Sequence, residues 1–199
     1  MSDNANKSNA NKSNANKSNA NKSNANKSNA NTSNANKSNA NMSNTNLRYL
    51  DAAKMEAIKS PCLQKHGCIA VINGNILGKG HNHYRTNTRD GFVKNSCTCH
   101  AEMAALRDAY KNLNLKGDFN FSNVKKFKKI TIYITRIDKT NNCKESGPCM
   151  DCLGVIKKLK IKRIIYSTDN NEFVICKPEK YAISYEASGR RFINNAKNK

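Results

Sequence analysis

Long apolar runs are missing from this chain: nowhere does one approach the roughly 18 residues that a membrane span requires, and the N-terminus lacks the apolar stretch of a secretory signal. Those two absences predict a soluble intracellular protein, cytoplasmic rather than secreted, with no membrane partner. Acidic residues are scarce too. Fourteen Asp and Glu stand against 35 Lys and Arg in 199 residues, for a formal net charge of +21. An excess of that size draws the chain toward polyanions in general without specifying one. Eight cysteines are present, but with no secretory context, and with two of them in a Cys149-x-x-Cys152 pair, they read as metal-binding and reduced thiols rather than a disulfide framework.

Residues 1–46 lack apolar side chains almost entirely. From Asn4 to Ser43 the chain repeats Asn-Ala-Asn-Lys-Ser, with Thr32 and Met42 in two of the lysine positions. With nothing to bury against its conformational entropy, this stretch is expected to be a disordered tail. Its six lysines and one aspartate contribute +5 of the total, which leaves +16 on residues 47–199. That remainder, about 150 residues, suits one domain with one core.

The chemistry converges on Cys97-Thr98-Cys99-His100-Ala101-Glu102, an irregular approach to a helix whose first turn holds a histidine and a glutamate. Further on, Pro148-Cys149-Met150-Asp151-Cys152 opens a second helix with two thiols three residues apart, Pro148 suiting a helix start because its missing N–H would be unpaired there anyway. One imidazole and two sulfurs close three corners of a zinc tetrahedron and leave the fourth for water, the arrangement of a catalytic rather than a structural site. Glu102 is near enough to handle a proton without ligating the metal. The pattern H-x-E…P-C-x-x-C is the signature of the zinc deaminases.

On these residues the chain, over about residues 47 to 168, resembles the cytidine/deoxycytidylate deaminase superfamily, which also includes tRNA adenosine deaminases and nucleic-acid-editing deaminases. The resemblance implies an α/β, three-layer α-β-α fold with a mixed sheet of about five strands flanked by helices. It implies Zn2+ held by His100, Cys149 and Cys152, with Glu102 as the catalytic proton carrier, in a deaminase domain over 47–199 that forms a homo-oligomer. Gly80-His81-Asn82 resembles the Gly-x-Asn at which family members set an asparagine against the sugar or phosphate, so Asn82 is a candidate substrate-binding residue; a turn-forming role stays open beside it. Some deoxycytidylate deaminases carry a second zinc, for which Cys97, Cys99, His81 and His83 are candidates, with Cys62 or Cys143 as further partners. One departure from compact members is the 45-residue separation between Glu102 and Pro148.

Patterning predicts the elements around these motifs. A helix spans Leu47 to Lys59 with Leu47, Leu50, Met55 and Ile58 near helical spacing, and Pro61 follows its end. Cys68–Ile72 and Asn75–Gly80 form a hairpin around Asn73-Gly74. A helix runs from His100 to about Asn112 with Met103, Leu106 and Tyr110 buried, then Ile130–Thr135 forms a central strand. A loop spans Arg136 to Gly147. A helix from Cys149 to about Lys160 precedes a strand at Arg163–Ser167, parallel to the central one. Phe173–Cys176 adds a fifth strand and Tyr181 to Ile193 a closing segment.

The expected activity is hydrolytic deamination of a nucleobase, first of cytosine in a deoxycytidylate-type small nucleotide. The alternatives are a tRNA adenosine or RNA/DNA cytidine deaminase, with nucleic acid as partner, and a catalytically inactive zinc-stabilised nucleic-acid-binding module. The intact Glu102 speaks against the last.

Overall fold

The computed structural model describes residues 42–94, 96–115, 119–169 and 172–182. The repeat tail up to residue 41 and the closing segment beyond residue 182 lie outside the described residues, and all elements below belong to the unit Thr32–Lys199. The first helix, α1, runs Asn44–Ile58. It starts inside the stretch that the sequence assigns to the tail, because Ser43 acts as its N-cap and accepts from the Asn46 amide. Its buried face also differs from the expected stripe. Tyr49, Leu50, Ala53 and Ala57 are buried, whereas Leu47, Met55 and Ile58 are exposed. The two alanines let the helix axis come close to the sheet, and Tyr49 reaches the Gly74 carbonyl and the Tyr133 ring.

Strands β1 (Lys65–Ile72) and β2 (Asn75–His81) form the predicted antiparallel hairpin. Its two-residue turn has Asn73 at φ 49° and Gly74 at φ 80°, the pair of left-handed conformations that a tight hairpin demands. Helix α2 (Ala101–Asn112) follows the loop 82–100, and the short helix α3 (Val124–Phe127) leads into β3 (Thr131–Ile137). Within the predicted loop, the two-residue strand β4 (Cys143–Lys144) turns back to pair with β3. Helix α4 (Met150–Lys158), β5 (Arg163–Ser167) and β6 (Phe173–Cys176) complete the described chain.

The sheet has six strands in the order β2-β1-β3-β5-β6, with β4 on β3. Only β3 and β5 are parallel, joined through α4, as predicted. Period-two alternation divides the strands between two cores. Cys68 and Ala70 of β1, Ile132 and Ile134 of β3, and Ile164 and Tyr166 of β5 face α2 and α4. Ile69, Val71, Tyr133 and Ile165 face α1. The result is the expected three-layer α-β-α sandwich with one more strand than the "about five" foreseen.

Two contacts fix α2, and with it the site. A Cβ at Gly80 would overlap the Ala105 amide and come within 2.6 Å of Ala104 Cβ, so the helix lies directly on the β2 backbone. On its other flank an aromatic group of Phe92, Tyr110, Phe119 and Phe127, with Phe92 and Phe119 centroids 3.8 Å apart, packs the loop before α2 and the segment after it onto the helix. No helix among the described residues is long and apolar enough to cross a membrane.

Candidate zinc and catalytic site

Two helix starts converge. His100 is the N-cap residue of α2 (φ −78°, ψ 155°) and Cys149 is that of α4 (φ −71°, ψ 171°); neither side chain caps its own helix. Extended backbone at both positions turns the side chains away from their helices and toward each other. His100 Nδ1 lies 3.4 Å from Cys149 Sγ and 3.3 Å from Cys152 Sγ, and the three potential ligand atoms all fall within 4.8 Å of one another. Both cysteines are buried. One imidazole nitrogen and two sulfurs, gathered out of solvent, are a donor set suited to zinc.

The electrostatics follow from the crowding of these three groups. The hydrogen bond with Cys152 takes the Cys149 thiol down to about 4 against its desolvation, helped by the hydrogen bond and charge of His100. Cys152 is driven well above the usual thiol range by that same partner and by complete burial. Two thiols thus compete for one proton, and a divalent cation held by both would let both ionise. Burial opposes the imidazolium of His100, yet its hydrogen bond with Cys149 and the charges of Glu102, Cys149 and Asp151 raise it to about 9. Glu102, in the first turn of α2, is 4% exposed; burial raises its pKa, with the charge of His100 pulling the other way.

Asn82 ends up with its amide engaged in the framework. The His66 amide donates to Oδ1 at 2.8 Å, Ser60 Oγ donates to Oδ1 at 2.7 Å, and Nδ2 donates to the Gln64 carbonyl at 2.8 Å. This network, which ties the α1–β1 loop to the end of β2, leaves one Nδ2 hydrogen uncommitted among these bonds. His66 is the residue that sequence reasoning passed over. It lies on β1, the charge of His100 reaches it, and desolvation lowers its pKa to about 4. The one signal available was that it was the single histidine of four without an assigned role.

The second candidate metal set does not assemble. Among the described residues, His100, Cys149 and Cys152 form the group of three or more potential ligands that converges. Cys99 pairs through its backbone with His83, but its thiol is buried against the His100 carbonyl and pushed up to about 12, chiefly by burial. His81 turns its Nδ1 toward Glu56 Oε2 at 3.5 Å, and its ring is 6.0 Å from that of His83. These three residues line a cleft of about 240 Å³ along the outer edge of β2, together with Arg107 and Lys111 of α2. Cys97 is not among the residues lining it.

Residues 43–168 match the family described as the cytidine and deoxycytidylate deaminase zinc-binding region. The chain is 30% identical over 129 residues to a tRNA-specific adenosine deaminase of Streptococcus pyogenes serotype M18 (strain MGAS8232), covering 63% of this chain and 64% of that protein. It is also 30% identical over 114 residues to tRNA-specific adenosine deaminase 2 of Xenopus tropicalis, covering 55% of this chain and 53% of that one. It therefore spans less than two thirds of the length of these relatives. Among solved structures it is similar to the dCMP deaminase from the cyanophage S-TIM5 in apo form, at 23% identity and a TM-score of 0.44, covering 65% of this chain and 88% of that one. With a family match over 126 residues that contains both helix starts, the chain belongs to the cytidine and deoxycytidylate deaminase zinc-binding family.

Proposed function

We propose that the protein is a hydrolytic nucleobase deaminase: water adds at the ring carbon bearing the amino group, the C–N bond breaks, ammonia leaves and a carbonyl remains. The observation that carries this reading is Glu102. It is a buried carboxyl in the first turn of α2, two residues from one prospective metal ligand and hydrogen-bonded with another, Cys152. A carboxyl raised by burial can hold a proton at a pH where a surface carboxylate cannot, and so serves first as base and then as acid. Zinc held by His100, Cys149 and Cys152 would supply Lewis acidity, bringing the pKa of water from about 15.7 toward 7.

The remaining work belongs to side chains. Glu102 takes one proton of the attacking water at a carboxylate oxygen and passes it to the ring nitrogen, then takes the second from the newly added hydroxyl as the carbonyl forms and gives it to the departing amine. Asn82 offers its uncommitted Nδ2 hydrogen to a sugar hydroxyl, held in orientation by Ser60, Gln64 and His66. The first substrate in this reading is cytosine in a deoxycytidylate-type nucleotide. The family description supports it, and so do Arg85 and Arg89, exposed cations on the loop before His100 that suit a monophosphate. Adenosine within RNA is the second reading, favoured by the tRNA-specific names of the curated relatives.

The test is ammonia release from cytidine, deoxycytidine, their monophosphates, guanine and short adenosine-containing RNAs. Turnover confined to deoxycytidine monophosphate supports the first reading, and turnover confined to RNA replaces it with the second. No turnover on any member overturns the enzyme reading and leaves a zinc-stabilised binding module.

A further inference from the structure

The two ends of α4 differ in kind. Its N-terminus holds the thiols; its C-terminus leads into a stretch rich in lysine and free of Asp and Glu. Residues 124–129 carry four lysines and residues 157–163 carry four lysines and an arginine, with no Asp or Glu in either stretch. All nine side chains are exposed. The fold makes one surface of these two stretches. Thr131 is registered with Arg163 at the start of the parallel pair, the Lys162 amide donates to the Ile130 carbonyl at 2.8 Å, and the Lys158 ammonium stands 5.5 Å from the centroid of the Phe121 ring. Nine helical residues separate Cys149 from Lys158, a rise of about 13 Å. This surface is therefore at the opposite end of the helix from the zinc and proton-transfer residues.

We infer that this lysine-rich end is a docking surface for nucleic acid, gripping the sugar-phosphate backbone at a distance from the catalytic centre. Charge complementarity is the first argument, since a cluster of this density without a counter-charge among its own residues is what a phosphate chain neutralises. Phe121 is the second. It is the one large apolar side chain exposed in these two stretches and the turn beside them among the described residues, 40% exposed with a lysine near its face. A single aromatic in a cationic field suits the stacking of an unpaired base. Charge alone would also draw this end to an anionic membrane, but firm seating there adds a set of inserted apolar side chains, and among the described residues of these two stretches and the turn beside them Phe121 alone is such a side chain. The inference concerns binding alone and stands apart from which base, if any, is deaminated.

The test measures binding of the full chain to a fluorescent single-stranded RNA across a salt series. In one variant Lys125, Lys126, Lys158 and Lys162 become glutamate; in a control of equal charge change Lys94, Lys139, Lys177 and Lys180 do, all exposed and outside the two lysine-rich stretches. The first variant is expected to lose at least about tenfold in affinity and to flatten the log–log salt slope by about 2 to 3, while the control changes little. Equal losses in both, or none in the first, overturn the proposal. So does tighter binding to phosphatidylserine vesicles than to RNA through the same four lysines, which would assign the surface to a membrane. Melting temperature and zinc content are read on each variant, and the corresponding lysine-to-glutamine set replaces the glutamate set if the latter does not fold.

Discussion

Arg107 Nε donates to Asp90 Oδ2 at 2.5 Å across 17 residues of sequence, and this pair ties the loop that precedes His100 to the helix that His100 begins. Both side chains are more than three-quarters buried. Burial works against the Asp90 carboxylate, but hydrogen bonds from Thr88, Arg107 and the Phe92 amide hold it below the usual range. Arg107→Ala and Asp90→Asn are each expected to cost about 1 kcal/mol, or about 3 °C in melting temperature. The double variant should cost little more than either one, because the two residues share one interaction. Strictly additive losses in a thermal melt would show that the pair does not couple.

Glu102→Gln and Cys149→Ala separate chemistry from metal retention. The amide keeps the shape of the carboxyl but cannot accept and return a proton, so turnover should drop at least about 10²- to 10⁴-fold with zinc content unchanged. Loss of the Cys149 sulfur should instead lower zinc content and melting temperature together. Parent-level turnover by Glu102→Gln would remove Glu102 from the proton path.

Gly80→Ala tests how the site is seated. Because α2 rests on the β2 backbone there, an added methyl group must push the helix outward, at an expected cost of about 1 to 3 kcal/mol. Displacement should carry His100 and Glu102 with it, so turnover should fall while the variant remains folded by circular dichroism. A variant matching the parent in stability and rate would show that α2 tolerates the shift.

Much of this arrangement is legible in the sequence, because the elements that build the site obey strong local rules. Asn73-Gly74 fixes the hairpin, the alternation of Ile132, Tyr133 and Ile134 fixes the strand, and Pro148-Cys149 fixes a helix start. Where long-range packing decides, sequence reasoning fails. The exposed Met55 and Ile58 look like core, whereas Ala53 and Ala57 form it, since closeness to a sheet rewards small side chains more than hydrophobicity alone. The engagement of Asn82 by Ser60, Gln64 and His66 joins residues up to 22 apart through two backbone groups, which no residue pattern announces. Strand β4 is two residues long and leaves no periodicity to read.

Two truncations probe the start of the fold. Removing residues 1–46 deletes the Ser43 cap and the Asn46 side chain that accepts from Tyr133 Oη at 2.8 Å, whereas removing residues 1–41 keeps both. The shorter protein should be less stable than the longer one by about 1 to 2 kcal/mol. Equal chemical-denaturation midpoints would contradict the structure of the first helical turn.

His66 links stability to pH. Its pKa is lowered, mainly by desolvation, from 6.5 to about 4, so between those values the unfolded chain binds a proton that the folded chain refuses. Stability contributed by the neutral ring is complete above 6.5, declines as pH falls toward 4, and declines no further below it. His66→Gln lacks this dependence. Its melting temperature should therefore gain on that of the parent as pH is lowered from 7 to 4, and a constant difference across the series would refute the linkage.

The two helices spend their capping positions on His100 and Cys149, whose side chains give no hydrogen bond to the first-turn amides. Residues such as serine or aspartate would secure those turns locally. An ion bound by His100, Cys149 and Cys152 would secure both turns from outside. Zinc loading is then expected to slow amide exchange in the first turns of α2 and α4 and to leave the Gly80-seated middle of α2 unchanged.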